Sequence, residues 1–104
     1  MLDQSERLMD AKPLLTIAIP TFNRAQYLME LLSILSSELR DEPRVELLIS
    51  DNASGDETPR VVQGFVERGG RVCYLRNELN IGADANFAQC FEKARGKYVW
   101  ILGD

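Results

Sequence analysis

The sequence predicts an α/β fold in which a parallel sheet carries helices on both faces. Three observations predict it. Four short apolar runs recur along the chain. Segments with apolar residues at helical spacing lie between them, and a polar loop follows each run.

The first run, Leu14-Leu15-Thr16-Ile17-Ala18-Ile19, is short and is ended by Pro20, which predicts a buried strand. Leu28, Leu31, Leu32, Leu35 and Leu39 then recur at helical spacing, which predicts an amphipathic helix over about residues 25–40. Asn23, with Gln26 three residues on, fits an N-cap and its return partner. Asp41-Glu42-Pro43-Arg44 breaks the helix. Val45-Glu46-Leu47-Leu48-Ile49-Ser50 predicts the second strand, and Asp51-Asn52-Ala53-Ser54-Gly55-Asp56 a polar turn. A second helix is expected to start near Asp56, with Pro59 tolerated in its first turn. Its apolar face would be Val62, Phe65 and Val66, and Gly69-Gly70 would close it.

Val72-Cys73-Tyr74-Leu75 predicts the third strand. The loop from Arg76 to Gly82 leads to a third helix, with Phe87, Cys90, Phe91 and Ala94 as its expected buried face and Gly96 as its end. Tyr98-Val99-Trp100-Ile101-Leu102 predicts the last strand, with Tyr98 and Trp100 in core or edge packing, and Gly103-Asp104 follows. The order β-α-β-α-β-α-β, with right-handed crossovers, is a Rossmann-like parallel sheet. Residues 1–12 are charged and lack a hydrophobic signal region, so they are expected to be a flexible arm or a short surface helix. Residues 13–104 then form the domain.

Composition narrows the function. A chain of 104 residues suits one domain. Its formal net charge of −4 argues against a nucleic-acid partner. No apolar run is long enough for a transmembrane helix. The absence of histidine removes histidine triads and the usual zinc sites from this chain. Cys73 and Cys90 form no CxxC pair and are expected to be reduced core thiols, which points to a cytoplasmic location.

Ligands of open parallel sheets bind beyond the carboxyl ends of the strands. That rule selects the loops beginning at Pro20-Thr21-Phe22-Asn23-Arg24, Asp51-Asn52-Ala53-Ser54, Arg76-Asn77 and Gly103-Asp104. Carboxylates and amides there can meet a base or ribose, and arginines or backbone amides can meet phosphates. Neither GxGxxG nor GxxxxGK[ST] is present, which argues against a dinucleotide-binding dehydrogenase or a P-loop enzyme. A diphosphate bound here would need another partner, most simply a divalent cation on carboxylates.

Four blocks carry a resemblance. They are residues 17–24 (IAIPTFNR), 50–56 (SDNASGD), 76–82 (RNELNIG) and 94–104 (ARGKYVWILGD). In this order and spacing they resemble the IPTYNR, D-N-x-S-x-D, RNxxNxG and pre-DxD segments of family 2 glycosyltransferases, which have the GT-A fold. The stretch 80–87 (NIGADANF) followed by 100–104 (WILGD) is similar to the abequosyltransferase-like members of O-antigen assembly, which add a dideoxyhexose. The resemblance implies the N-terminal half of a GT-A fold. It also implies a nucleoside-diphosphate-sugar donor, with a saccharide or lipid-linked saccharide as acceptor. The work would be cell-surface polysaccharide or lipopolysaccharide synthesis, in the cytoplasm or at the inner face of the membrane.

By the same resemblance Asp51 contacts the base, and Pro20, Thr21 and Asn23 pack on base and ribose. Asp104, the first aspartate of DxD, lies near ribose and metal, where Mn²⁺ or Mg²⁺ would sit. Arg24 is a phosphate candidate, Asp84 a sugar-hydroxyl candidate, Asn52 a further binding candidate, and Gly82 a point of close backbone approach. Several have a plainer alternative. Asp51 can start an Asx turn, and Ser54 and Asp56 can serve turn and cap. Arg24 can be a solvated first-turn residue, Gly82 can permit a tight turn, and Asp84 can suit the helix macrodipole.

The last DxD aspartate would fall beyond Asp104, and the family's catalytic base and acceptor half come later still. The chain alone is therefore expected to hold no catalytic residue, to bind no cation and to be inactive as a transferase. Its last strand is expected to be an open edge that can recruit a second copy. Two other classes stay open: a nucleotidyltransferase-like domain, which usually has a glycine-rich basic loop after the first strand, and a receiver-like module, which needs an acidic pair there.

Overall fold

The computed structural model describes residues 12–104. The expected arm lies outside them, apart from Lys12, which is exposed. The elements run β1 (Leu15–Thr21), α1 (Ala25–Glu38), β2 (Val45–Asp51), α2 (Thr58–Glu67), β3 (Cys73–Arg76), α3 (Ala83–Lys93) and β4 (Tyr98–Ile101). The four strands are parallel in the order β3-β2-β1-β4. The expected α/β sheet with helices on both faces is the one observed.

Alternation along β1 divides the core. Ile17 and Ile19 face α1 and α2, where Leu28, Leu32, Val62 and Phe65 meet them. Ala18 faces the other way, with Leu48 and Cys90 of α3. The ladder between β1 and β2 runs from Leu15↔Val45 to Thr21↔Asp51. The ladder between β2 and β3 ends at Asp51↔Arg76. Register therefore sets Thr21, Asp51 and Arg76 in one row at the carboxyl rim. Gly96 allows the turn before β4 to approach β1, because a Cβ there would stand 2.5 Å from the Thr16 backbone nitrogen.

Several expectations are corrected. β1 does not stop at Pro20 but continues to Thr21. The Ala18 carbonyl bonds to Leu102 and the Thr21 carbonyl to Asn52, so alternation points the Pro20 nitrogen toward β4 beyond its last ladder pair. No sheet hydrogen bond is lost there. Asn23 does not cap α1. Its φ is 53°, and Arg24 stands at the N-cap position with no side-chain cap. The first-turn amide of Ala25 instead donates to Asp56 Oδ2 at 3.1 Å, from the loop after β2. Gln26 pairs with Glu30 rather than returning to the cap.

Helix faces differ as well. Val66, Phe87 and Phe91 are exposed. In α3 it is Asn86 and Cys90, four residues apart, that turn to the sheet, which leaves Phe87 and Phe91 to meet edge-to-face at 5.4 Å on the outside. Cys90 is buried as expected, but Cys73 is exposed because it opens the edge strand β3. Of the two placements expected for Tyr98 and Trp100, the edge is the one observed: both pair with β1 on the edge strand β4 and remain more than half exposed.

Candidate functional site

Each rim residue is held by an identifiable partner. Thr21, nearly buried at the end of β1, donates from Oγ1 to Asp104 Oδ2 at 2.5 Å. Arg24, before α1, reaches the other oxygen of Asp104 with Nε at 3.2 Å and the Asp104 carbonyl with Nη2 at 3.2 Å. Its guanidinium also lies 4.3 Å from the Tyr27 ring centre. The loop after β4 is thereby tied to the loop after β1.

Asp51 has a different setting. Its side chain is fully buried. Oδ1 accepts the Ser54 amide at 3.0 Å, Oδ2 accepts the Tyr74 hydroxyl, and Arg76 Nε stands 3.8 Å from Oδ2. Arg76 Nη2 also donates to the Ser54 carbonyl at 2.8 Å. Burial, then the hydrogen bond and charge of Asp51, push the Tyr74 phenol well above its usual range, so it stays a donor. Asp51 thus holds the turn after β2 through the amide three residues on, one residue farther than in an Asx turn, and the carboxylate faces inward.

Asn52 is also buried, with its side chain engaged by the loop that leads into α3. Gly82, with a φ of 91°, is the N-cap residue of α3. Asp84 stands exposed in the first turn of α3, where a carboxylate suits the positive helix end. Asn23 points away from this loop, accepting the Gly55 amide at 2.7 Å while its own amide donates to Ser54 Oγ at 2.9 Å.

A cleft of about 400 Å³ opens at this rim, and Pro20, Thr21, Arg24, Asn52, Asp84 and Asp104 line it. Six of the nine sequence candidates thus meet in one concavity. Asn23, Asp51 and Gly82 do not line it. Phe22 and Phe87 add half-exposed apolar wall, and Asn80 and Asn86 add amides. Sequence reasoning assigned no binding role to these four, nor to Tyr74. The available signal was Asn86, a polar residue interrupting the apolar stripe of α3 four positions before Cys90. Clefts of about 360 and 600 Å³ at the opposite end of the sheet hold none of the nine candidate residues. Volume therefore does not single out the rim; its residues and its position beyond the strand ends do.

The cleft has the chemistry to accept hydroxyls on Asp84 and Asp104 and to meet an anion with Arg24. It does not by itself fit a cation. Among the described residues no three His, Cys, Asp or Glu side chains converge as ligands, so Asp84 and Asp104 do not make up a ligand set.

Residues 16–104 match the family described as Glycosyl transferase family 2. The chain is similar to the abequosyltransferase RfbV of Salmonella typhimurium, with 37% identity over 91 residues, covering 86% of this chain and 27% of that protein. It is also similar to the GalNAc(5)-diNAcBac-PP-undecaprenol beta-1,3-glucosyltransferase of Campylobacter jejuni, with 34% identity over 93 residues, covering 88% of this chain and 29% of that protein. The chain therefore spans under a third of these relatives. In fold it is similar to the mannosyltransferase PcManGT of Pyrobaculum calidifontis, solved in complex with GDP-Man and Mn²⁺. The TM-score is 0.77 and the identity 20%, over 96% of this chain and 32% of that one. Among the described residues no helix is long and apolar enough to cross a membrane.

Proposed function

This chain belongs to glycosyl transferase family 2, and from that premise we propose that its rim cleft receives the nucleoside diphosphate and sugar of a donor. One observation carries the proposal. Thr21, Arg24, Asp84 and Asp104 reach a single cleft from three separate segments beyond the strand ends. Arg24 is suited to a diphosphate oxygen, because its guanidinium already makes charge-assisted contacts there. Thr21 and Asp104 are suited to ribose hydroxyls, and Asp84 to a sugar hydroxyl. Pro20, Phe22 and Phe87 supply apolar wall. Asp51 acts from beneath by holding Tyr74 and Arg76 at the end of β3.

In the whole enzyme the sugar would pass to an acceptor hydroxyl by direct displacement at the anomeric carbon. A carboxylate base is the expected activator of the acceptor. O-antigen or related cell-surface polysaccharide synthesis is the favoured setting, supported by the names of the relatives above. A saccharide or lipid-linked acceptor, met at the inner face of the membrane, extends the same reading. Mn²⁺ or Mg²⁺ would supply charge stabilisation to the departing diphosphate, with Asp104 giving one ligand. A second copy meeting the free edge of β4, beside exposed Tyr98 and Trp100, belongs to the same proposal. Sedimentation that stays monomeric across a wide concentration range would remove this last element. Family membership gives no support to a nucleotidyltransferase or a receiver module.

The test is a resonance-shift titration of the chain with UDP, GDP, CDP and dTDP, with and without Mn²⁺. At least one nucleotide should shift residues 20–24, 84 and 104, and Arg24→Ala should weaken the response. Indifference of the cleft to all four would sink the donor reading.

A further inference from the structure

A closed network of side-chain amides links the end of β2 to the start of α3. Asn52 is its centre. Its Oδ1 accepts the Ile81 amide at 2.9 Å and Asn77 Nδ2 at 3.1 Å. Its Nδ2 donates to Asn80 Oδ1 at 2.8 Å and to the Gly82 carbonyl at 3.3 Å. A carboxamide offers two donor hydrogens and two acceptor lone pairs, so these four bonds use the whole capacity of Asn52. Its backbone amide is also taken, by the Thr21 carbonyl at 3.0 Å. Although Asn52 lines the cleft, its side chain and its amide have nothing left to offer a ligand without giving up a bond.

The network continues under α3. Asn86 Nδ2 donates to the Ser50 carbonyl at 2.9 Å, and Asn86 Oδ1 accepts Ser50 Oγ at 2.8 Å and Asn77 Nδ2 at 3.3 Å. Gln89 Nε2 joins Ser50 Oγ to Asn77 Oδ1, both at 2.9 Å. Every contact lies on the sheet side of α3 or in the loop before it. The residues on the free side of the same turns, Asp84 and Phe87, line the cleft.

We infer that Asn52 is a positioning residue. It works with Asn86 to fix the first turn of α3 against β2, and so sets where Asp84 and Phe87 stand in the cleft. Asn52 is thus removed from the set of direct ligand contacts, and Asn77, Asn86 and Gln89 enter as its supports. The inference rests on the donor reading only for what the cleft holds. The mechanical part concerns the chain without ligand.

Native-state hydrogen exchange on the 104-residue chain tests it, using Asn52→Ala and Asn52→Asp. Removing the side chain should speed exchange at the Ile81 amide by about tenfold or more, with the β1 amides unchanged. The backbone resonances of Asp84 should move with it. The aspartate variant keeps the acceptor for Ile81 but loses the donor that orients Asn80, whose Oδ1 holds the Gly82 amide at 2.8 Å. Ile81 should then stay protected while Gly82 exchanges faster. That split is a partial rescue which a generally loosened fold would not produce. Should Asn52→Ala also lose protection in β1, the aspartate variant decides. Unchanged exchange at both loop amides in the aspartate variant, or unchanged Ile81 exchange in a folded alanine variant, overturns the inference. Nucleotide titration of the same samples separates the two proposals. A nucleotide response that Asn52→Ala weakens without changing Ile81 exchange would make Asn52 a direct contact. A chain indifferent to every nucleotide, with the exchange pattern as expected, removes the donor reading and leaves the positioning role supported.

Discussion

The two faces of the sheet are built on different principles. On the α1/α2 face, Ile17, Ile19, Leu28, Leu32, Val62 and Phe65 close a continuous apolar core. On the α3 face the fully buried apolar cluster among the described residues is Ala18, Leu48 and Cys90, and amide hydrogen bonds do much of the remaining work. Apolar packing is non-directional and tolerant of small displacements. Hydrogen-bonded amides are directional, and a saturated network permits one arrangement. The difference teaches that stability is concentrated on one face and geometric definition on the other, next to the cleft.

The largest expected effect breaks the apolar face. Leu28→Ala or Leu32→Ala should cost about 2–5 kcal/mol by equilibrium denaturation, since each is essentially buried and leaves a cavity. For a domain of this size that is a large part of the whole stability. Asn86→Ala should cost less, about 1–3 kcal/mol, for the buried polar groups left without partners. It should also act locally. Modification of the buried Cys90 thiol should accelerate, while that of the exposed Cys73 stays as it was. Equal losses of protection on both faces would contradict the division drawn above.

Tyr74→Phe tests the edge of the apolar face. Asp51 would lose the phenol donor and keep Ser54 and Arg76, for a loss of about 1–2 kcal/mol in the same assay. The smallest effect is a pH dependence at Asp56. Burial raises its pKa, but the hydrogen bonds from the Thr58 side chain, the Thr58 amide and the Ala25 amide outweigh that and lower it. A folded-state pKa below the unfolded one means that protonation favours unfolding. The contribution is therefore present above about pH 4 and is lost as pH falls through the lower, folded-state value. Asp56→Asn should flatten that part of the stability profile. A profile identical to that of the parent chain would remove Asp56 as the shared cap of α1 and α2.

Much of this was legible in the residues. Pro59 stands in the first turn of α2, and Gly69 closes that helix with a φ of 92°. Asp104, Thr21 and Arg24, chosen from loop position, share one cleft. What escaped were choices between partners. Phe87 and Phe91 have the spacing of a buried stripe, yet Asn86 and Cys90 won the sheet face, because Ser50 offers a hydroxyl and a carbonyl there. Asn23 has the chemistry of an N-cap, but its backbone is left-handed and Asp56 takes the task.

The sequence by itself determined the order and type of the elements, the parallel sheet, and the rim at which the motif residues gather. Those follow from periodicity and turn chemistry, which act over a few residues. Only the tertiary structure decided which side chain meets which. Asp56 caps a helix that begins 31 residues earlier, and Thr21 meets Asp104 across 83 residues. The ladder register brings these groups together. Register depends on the packing of whole strands, so it leaves no local mark at the residues whose contacts it sets.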